Sequence, residues 1–129
     1  MKELVIENGL LLTDMTIEFN QQSLLLNRVL VDTGSGSTVI SSDLAATIGI
    51  VPEINDTIYR ISGVGGSEFV YSKKVDAIIV GNMKTDIFEL EIGAMNYGFD
   101  LDGIIGLDLL ARLKSIINVD ELILHANTR

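Results

Sequence analysis

The stretch Val29-Leu30-Val31-Asp32-Thr33-Gly34-Ser35 constrains this chain more than any other. A β-branched apolar run passes straight into an acid, a hydroxyl and a glycine. Such a run reads as a buried strand. Strands this apolar usually end on a neutral turn, but this one delivers a carboxylate to its tip. Side chains alternate along a strand, so Asp32, Leu30 and Arg28 share one face and Val29 and Val31 the other. With the two valines in a core, Asp32 points into whatever opens at the strand end. The four residues from Asp32 to Ser35 also fit an ordinary turn, in which Asp and Ser bond nearby backbone and Gly supplies a positive φ.

The flanking sequence reads as β throughout the first third. Leu4 to Glu7 is a short strand, and Asn8-Gly9 signals a hairpin. Leu10 to Asn20 alternates Met15, Ile17 and Phe19 against Thr16, Glu18 and Asn20, the pattern of a half-buried strand. Gln21-Gln22-Ser23 is expected to turn the chain, and Leu24 to Asp32 is the strand that carries the acid. This opening is an antiparallel meander. Thr38 to Ser41 is extended. A short helix follows from Ser42 to Gly49, with Ser41 or Ser42 as N-cap, Asp43 near its positive end and Gly49 as its stop.

Thr57 to Ser62 and Ser67 to Val75 form a hairpin around Gly63-Val64-Gly65-Gly66, a tip with a high ordering entropy. That tip does not make a nucleotide loop. Glu68 stands where a third glycine would be, and no helix pattern follows. Ala77 to Val80 and Ile87 to Ile92 continue the β pattern around a Gly81-Asn82 turn. Gly103 to Gly106 is a short apolar strand leading into a helix, Leu107 to Leu113. Ser115 to Val119 and Leu122 to Leu124 close the chain as a hairpin. There is no internal repeat, linker or low-complexity tract, so residues 1–129 read as one domain.

Composition removes several function classes. The net charge of −9 opposes binding to nucleic acid or to an anionic membrane surface. No apolar run is long enough to span a bilayer, and Met1-Lys2-Glu3-Leu4 does not open an export signal. Cytoplasmic residence is the expectation. The absence of cysteine excludes disulfides, thiolate catalysis and cysteine-held zinc. His125, the sole histidine, sits in the tail and gives a Ser-His-Asp triad little support. Asp100, Asp102 and Asp108 match no calcium loop and read as a solvated loop acid or a helix-end acid. No metal and no cofactor are expected.

Three blocks, taken in order, resemble the retropepsins, the single-lobe aspartic proteases. Asp32-Thr33-Gly34-Ser35 resembles their catalytic loop, and Ile61-Ser62-Gly63-Val64-Gly65-Gly66 their glycine-rich flap. Gly103-Ile104-Ile105-Gly106-Leu107-Asp108-Leu109-Leu110 resembles the second family signature. The resemblance covers Leu24 to Leu124. It implies an all-β fold: a closed β-barrel lobe with a flap hairpin and one or two short helices. The chain also departs from the viral members. They carry an acidic pair where this sequence has Gly36 and Ser37, and an arginine where it has Leu107, and those charges knit their dimer. The helix from Asp43 to Gly49 is extra. Stand-alone bacterial relatives show such features.

By the same resemblance the chemistry needs two carboxylates and each chain supplies one. A two-fold homodimer brings both copies of Asp32 to the axis. Carboxylates about 3 Å apart cannot both ionise, so they share a proton, a rule drawn from the aspartic proteases themselves. Thr33 is expected to bond across the axis. Gly34 lets its N–H approach the carboxylate, and Ser35 can donate to an outer carboxylate oxygen. Gly63 and Val64 belong to the flap, where a backbone N–H at Val64 can grip the substrate. Leu30, Val39, Ile61 and Ile104 resemble pocket linings, with plain core packing as the alternative. The implied function is a homodimeric aspartic endopeptidase acting on peptides or proteins. The alternative is a retropepsin-fold dimerisation or peptide-binding module with little or no catalysis.

Overall fold

Two tight turns set the register of the first long strands. The structure is a computed structural model and describes residues 1–63, 66–96 and 100–127. Its first strands are β1 (Lys2–Glu3), β2 (Val5–Glu7), β3 (Leu10–Phe19) and β4 (Gln22–Val31). Asn8 and Gly9 both take positive φ, 52° and 77°, as a two-residue hairpin turn of matching twist requires. The next turn falls on Asn20 and Gln21, with φ of 50° and 66°, and not on Gln21 to Ser23. Asn20 tolerates the left-handed region better than most residues, and its N–H is held by the Asp76 carboxylate at 2.7 Å. The strand carrying the acid therefore begins two residues early, at Gln22.

The rest of the chain supplies β5 (Val39–Ser41), α1 (Ser42–Ala46), β6 (Ile58–Gly63), β7 (Gly66–Val80) and β8 (Met83–Gly93). After them come β9 (Gly103–Ile105), α2 (Leu107–Arg112), β10 (Ser115–Asn118) and β11 (Ile123–Ala126). Ser41 caps α1 through its side chain, which accepts from the Leu44 N–H. Gly49 ends the turn that follows, at φ 85°. The two strands expected at Ser67–Val75 and Ala77–Val80 are one strand, β7. It pairs along its length with β8, near its start with β6, and near its end with β3.

That last pairing matters for the architecture. The main sheet runs β2-β3-β4-β9-β5-β8-β7-β6, and the β3–β7 ladder closes its middle strands into a ring. The ring stands where a closed barrel was expected and is not a formal barrel. It is not purely antiparallel either, because β4 runs parallel to β9 and β5 parallel to β8. A smaller sheet, β1-β11-β10, holds the N-terminal segment against the closing hairpin. The principal core includes Met15, Ile17, Leu26, Val29, Val31, Ile40, Ile78, Ile105 and Leu109. A second apolar layer holds Leu12, Leu30, Val39, Val70, Met95, Leu101 and Ile104. Strand β4 thus divides its side chains as alternation demands: Val29 and Val31 in one layer, Leu30 in the other.

Candidate active site

Asp32 stands at the junction of the two layers, one residue past β4. Its N–H donates to the Ile105 carbonyl at 3.0 Å, extending the parallel β4–β9 ladder. The chain then turns back, and the Ser35 N–H closes the turn on the Asp32 carbonyl at 3.1 Å. The Gly34 N–H donates to Asp32 Oδ1 at 2.9 Å. A Cβ on Gly34 would lie 3.2 Å from that same oxygen, so glycine keeps the approach open. Asp32 is half-buried, while Thr33 and Gly34 are exposed in the single chain. The Ser35 hydroxyl donates to the Ser37 carbonyl at 2.8 Å. A hydroxyl has one proton to give, and in the single chain the Ser37 carbonyl takes it.

The loop is fastened from beneath by Thr38, which the sequence reading did not single out, and by Gly106, Leu107 and Asp108 of the block that resembles the second family signature. Thr38 is completely buried. Its hydroxyl donates to Asp108 Oδ1 at 2.7 Å and accepts from the Gly106 N–H at 3.0 Å. Its own N–H donates to Asp108 Oδ2 at 3.3 Å. The Leu107 N–H donates to the Ser35 carbonyl at 2.7 Å. Gly106 is where the two segments touch: a Cβ there would collide with the Ser37 carbonyl and lie 2.9 Å from the Ser35 oxygen. Asp108, read from sequence as an incidental acid, therefore ties α2 to the loop. Asp102 has a similar task. Its carboxylate accepts from the N–H groups of Asn27 and Arg28, where β4 runs beyond its β9 partner.

Among the proposed pocket residues, Leu30, Val39 and Ile104 come together. Leu30 faces Ile104 across β4–β9, and Ile104 faces Val39 across β9–β5. All three lie in the second apolar layer, on the Asp32 face of β4. Val39 is 1% exposed and belongs to the packing, whereas Leu30 and Ile104 keep 8% and 9% and form the accessible edge. Ile61 pairs with Glu68, and Gly63 with Gly66, in the β6–β7 hairpin. Val64 lies outside the described residues.

The same layer carries a polar group that was not anticipated. Tyr59 packs its ring against the second layer, and its hydroxyl lies 2.8 Å from Ser72 Oγ. Ser72 in turn donates to Glu91 Oε2 at 2.9 Å. Burial pushes the Tyr59 phenol up from its ordinary value, and its hydrogen bond and proximity to Glu91 push it further. Arg28, on the Asp32 face of β4, is engaged by Glu7 at 2.6 Å and by the Asp100 carbonyl at 2.6 Å. The Arg28 guanidinium holds the Glu7 carboxyl below the usual carboxylate range. Among the described residues, no group of three acids or histidines is arranged to hold a metal ion, and no helix is long and apolar enough to cross a membrane.

A half-buried carboxylate on a clamped turn, beside a buried apolar edge, is a recognisable arrangement. The fold is similar to the crystal structure of a retropepsin-like aspartic protease from Rickettsia conorii, with a TM-score of 0.66 and 18% identity over 96% of this chain and 88% of that one. That likeness establishes a retropepsin-like fold. No curated protein matches the chain in sequence. Residues 15–112 match the family described as "gag-polyprotein putative aspartyl protease", a span that includes the Asp32 loop, the hairpin and the Gly103–Leu110 block. The chain belongs to this family of retropepsin-like aspartyl proteases.

Proposed function

We propose that the protein is a homodimeric aspartic endopeptidase. One observation carries the reading: the Asp32 loop is over-determined from the protein side and open on the other. Backbone and side-chain bonds from Ile105, Gly106, Leu107 and Asp108 fix its shape, while Thr33 and Gly34 stay exposed and Asp32 only half-buried. A turn that served packing alone would not need a carboxylate held by a glycine N–H on an open surface. A second copy related by a two-fold axis supplies the missing carboxylate.

In that pair one carboxylate is ionised and the other carries the shared proton. The ionised one takes a proton from a water as the water oxygen attacks the peptide carbonyl carbon. The protonated one hydrogen-bonds the oxygen on which charge develops. Proton transfer to the leaving nitrogen accompanies C–N cleavage, giving an acid and an amine. The β6–β7 hairpin acts as the flap over a peptide lying in the cleft. The test is incubation with a mixed peptide library at several pH values, with and without a pepstatin-like transition-state analogue, beside the Asp32→Asn variant. Cleavage that is blocked by the analogue and absent from Asp32→Asn is expected. Cleavage retained by Asp32→Asn refutes the aspartic mechanism. A dimer that binds peptides but cleaves none leaves the peptide-binding module as the correct reading.

A further inference from the structure

One row of side chains crosses the sheet from the strand of the acid to the hairpin. Leu30 faces Ile104, Ile104 faces Val39, Val39 faces Glu91, and Glu91 faces Ser72. Tyr59 ends the row through its hydroxyl contact with Ser72. Residues directly opposite in a ladder project to the same face, so the whole row lies on the face that Leu30 shares with Asp32. Its chemistry changes midway. The half next to Asp32 is aliphatic; the other half, on β8 and the two hairpin strands, is a carboxylate, a hydroxyl and a phenol.

Only one oxygen of Glu91 is engaged by Ser72, Oε2, and the side chain is half-buried. The donors run one way: Ser72 gives its proton to Glu91, so the Tyr59 hydroxyl gives its proton to Ser72 or to Glu91. The group thus ends on an acceptor with a free lone-pair site and no free donor. A cationic side chain, or a neutral hydrogen-bond donor, is what completes it.

We propose that the cleft wall carries two adjacent subsites of different chemistry, an apolar one at Leu30 and Ile104 and an acidic one at Glu91, Ser72 and Tyr59 that takes a lysine or arginine side chain of the substrate. This deepens the endopeptidase reading and rests on it. Adjacent strands lie about 4.8 Å apart, and same-side residues of an extended peptide about 7 Å apart. Glu91 is two strand steps from Ile104. A peptide crossing the strands with an aliphatic residue over Leu30 and Ile104 brings the residue two positions along toward Glu91, and a long basic side chain spans the remainder. Tyr59 and Ser72 are positioning residues here, because they hold the carboxylate and the ring that walls it.

The experiment uses equilibrium binding, so that it does not depend on turnover. Fluorescent peptides with a fixed leucine carry either lysine or norleucine two positions away on each side, and are titrated into the Asp32→Asn protein with and without Glu91→Gln. Glutamine still accepts from Ser72, and thermal denaturation checks that the fold is kept. Lysine is expected to bind about tenfold tighter than norleucine at one of the two positions, as for a hydrogen bond to a charged group. Glu91→Gln should bring the ratio to within about twofold of one, and added salt should shrink it. A ratio near one in the parent, or one unchanged by Glu91→Gln, overturns the acidic subsite alone if peptides are still bound and cleaved by the wild type. If no form binds or cleaves any peptide, the endopeptidase reading falls and the subsite with it.

Discussion

Thr38 is the residue on which the geometry of the Asp32 loop most directly depends, and Thr38→Val tests that dependence. Valine matches threonine in shape, so no cavity opens and the packing term is small. What is lost is the hydroxyl and both its bonds. The Gly106 N–H, bonded at 3.0 Å in a buried position, is left without an acceptor, at a cost of about 1–3 kcal/mol. Asp108 loses a 2.7 Å donor but keeps the N–H groups of Leu109 and Thr38, and it is half-buried, so water replaces part of the loss. That places its share near the low end for a bond to a charged group, about 1–1.5 kcal/mol.

The two losses together amount to about 2–4 kcal/mol. With a urea slope of about 2 kcal/mol/M, the middle of the range for a small protein, the unfolding midpoint should fall by about 1–2 M. The measurement is a urea titration at fixed protein concentration, since the proposed dimerisation would make apparent stability concentration-dependent. Thr38→Ser is the control: it loses a methyl but keeps the hydroxyl, and should cost about 1 kcal/mol. Peptide hydrolysis should fall more in Thr38→Val than in Thr38→Ser, because Gly106 and Leu107 hold the Ser35 end of the loop. A Thr38→Val midpoint equal to that of Thr38→Ser would refute the reasoning, because packing rather than the hydroxyl would then be what Thr38 supplies.

Gly106→Ala should destabilise the protein and lower activity together, since its Cβ meets backbone carbonyls of Ser35 and Ser37 that cannot swing aside; wild-type stability in that variant would show the loop to be pliable. Lys73, 2.9 Å from Asp56, holds the Asp56 carboxyl below the usual carboxylate range, with help from the Glu53 N–H. A lowered folded-state pKa gives stability that is present above the unfolded value and lost as pH falls through the folded one, so hydrogen exchange near Asp56 should speed up across that acid window, and Lys73→Met should weaken the pH dependence, leaving the part due to the Glu53 N–H. The single chain buries both apolar layers by itself, so dilution that dissociates the proposed dimer should leave far-ultraviolet circular dichroism unchanged. Dissociation that coincides with unfolding would show that the second copy is part of the core.

The sequence disclosed the site better than it disclosed the support. Asp32 was legible because an acid after a β-branched apolar run is locally anomalous, and Val29, Leu30 and Val31 sort into opposite layers by period alone. The bond between Thr38 and Asp108 was not legible, because Thr38 is unremarkable among its neighbours and the two meet only when β4–β9 pairing brings their segments side by side. The length of β7 was hidden for a related reason: its two halves serve different partners, β6 and β3, so no single alternation marks it as one strand. The polar end of the cross-strand row shows the same limit. Tyr59, Ser72 and Glu91 are thirteen and nineteen residues apart in turn, and in sequence each is only a polar position on a half-buried strand. Ladder register turns them into neighbours on the face of Asp32. Chemistry that resides in one stretch can be read directly; chemistry that resides in a row across strands exists only once the register is known, and the proposed acidic subsite is made of such a row.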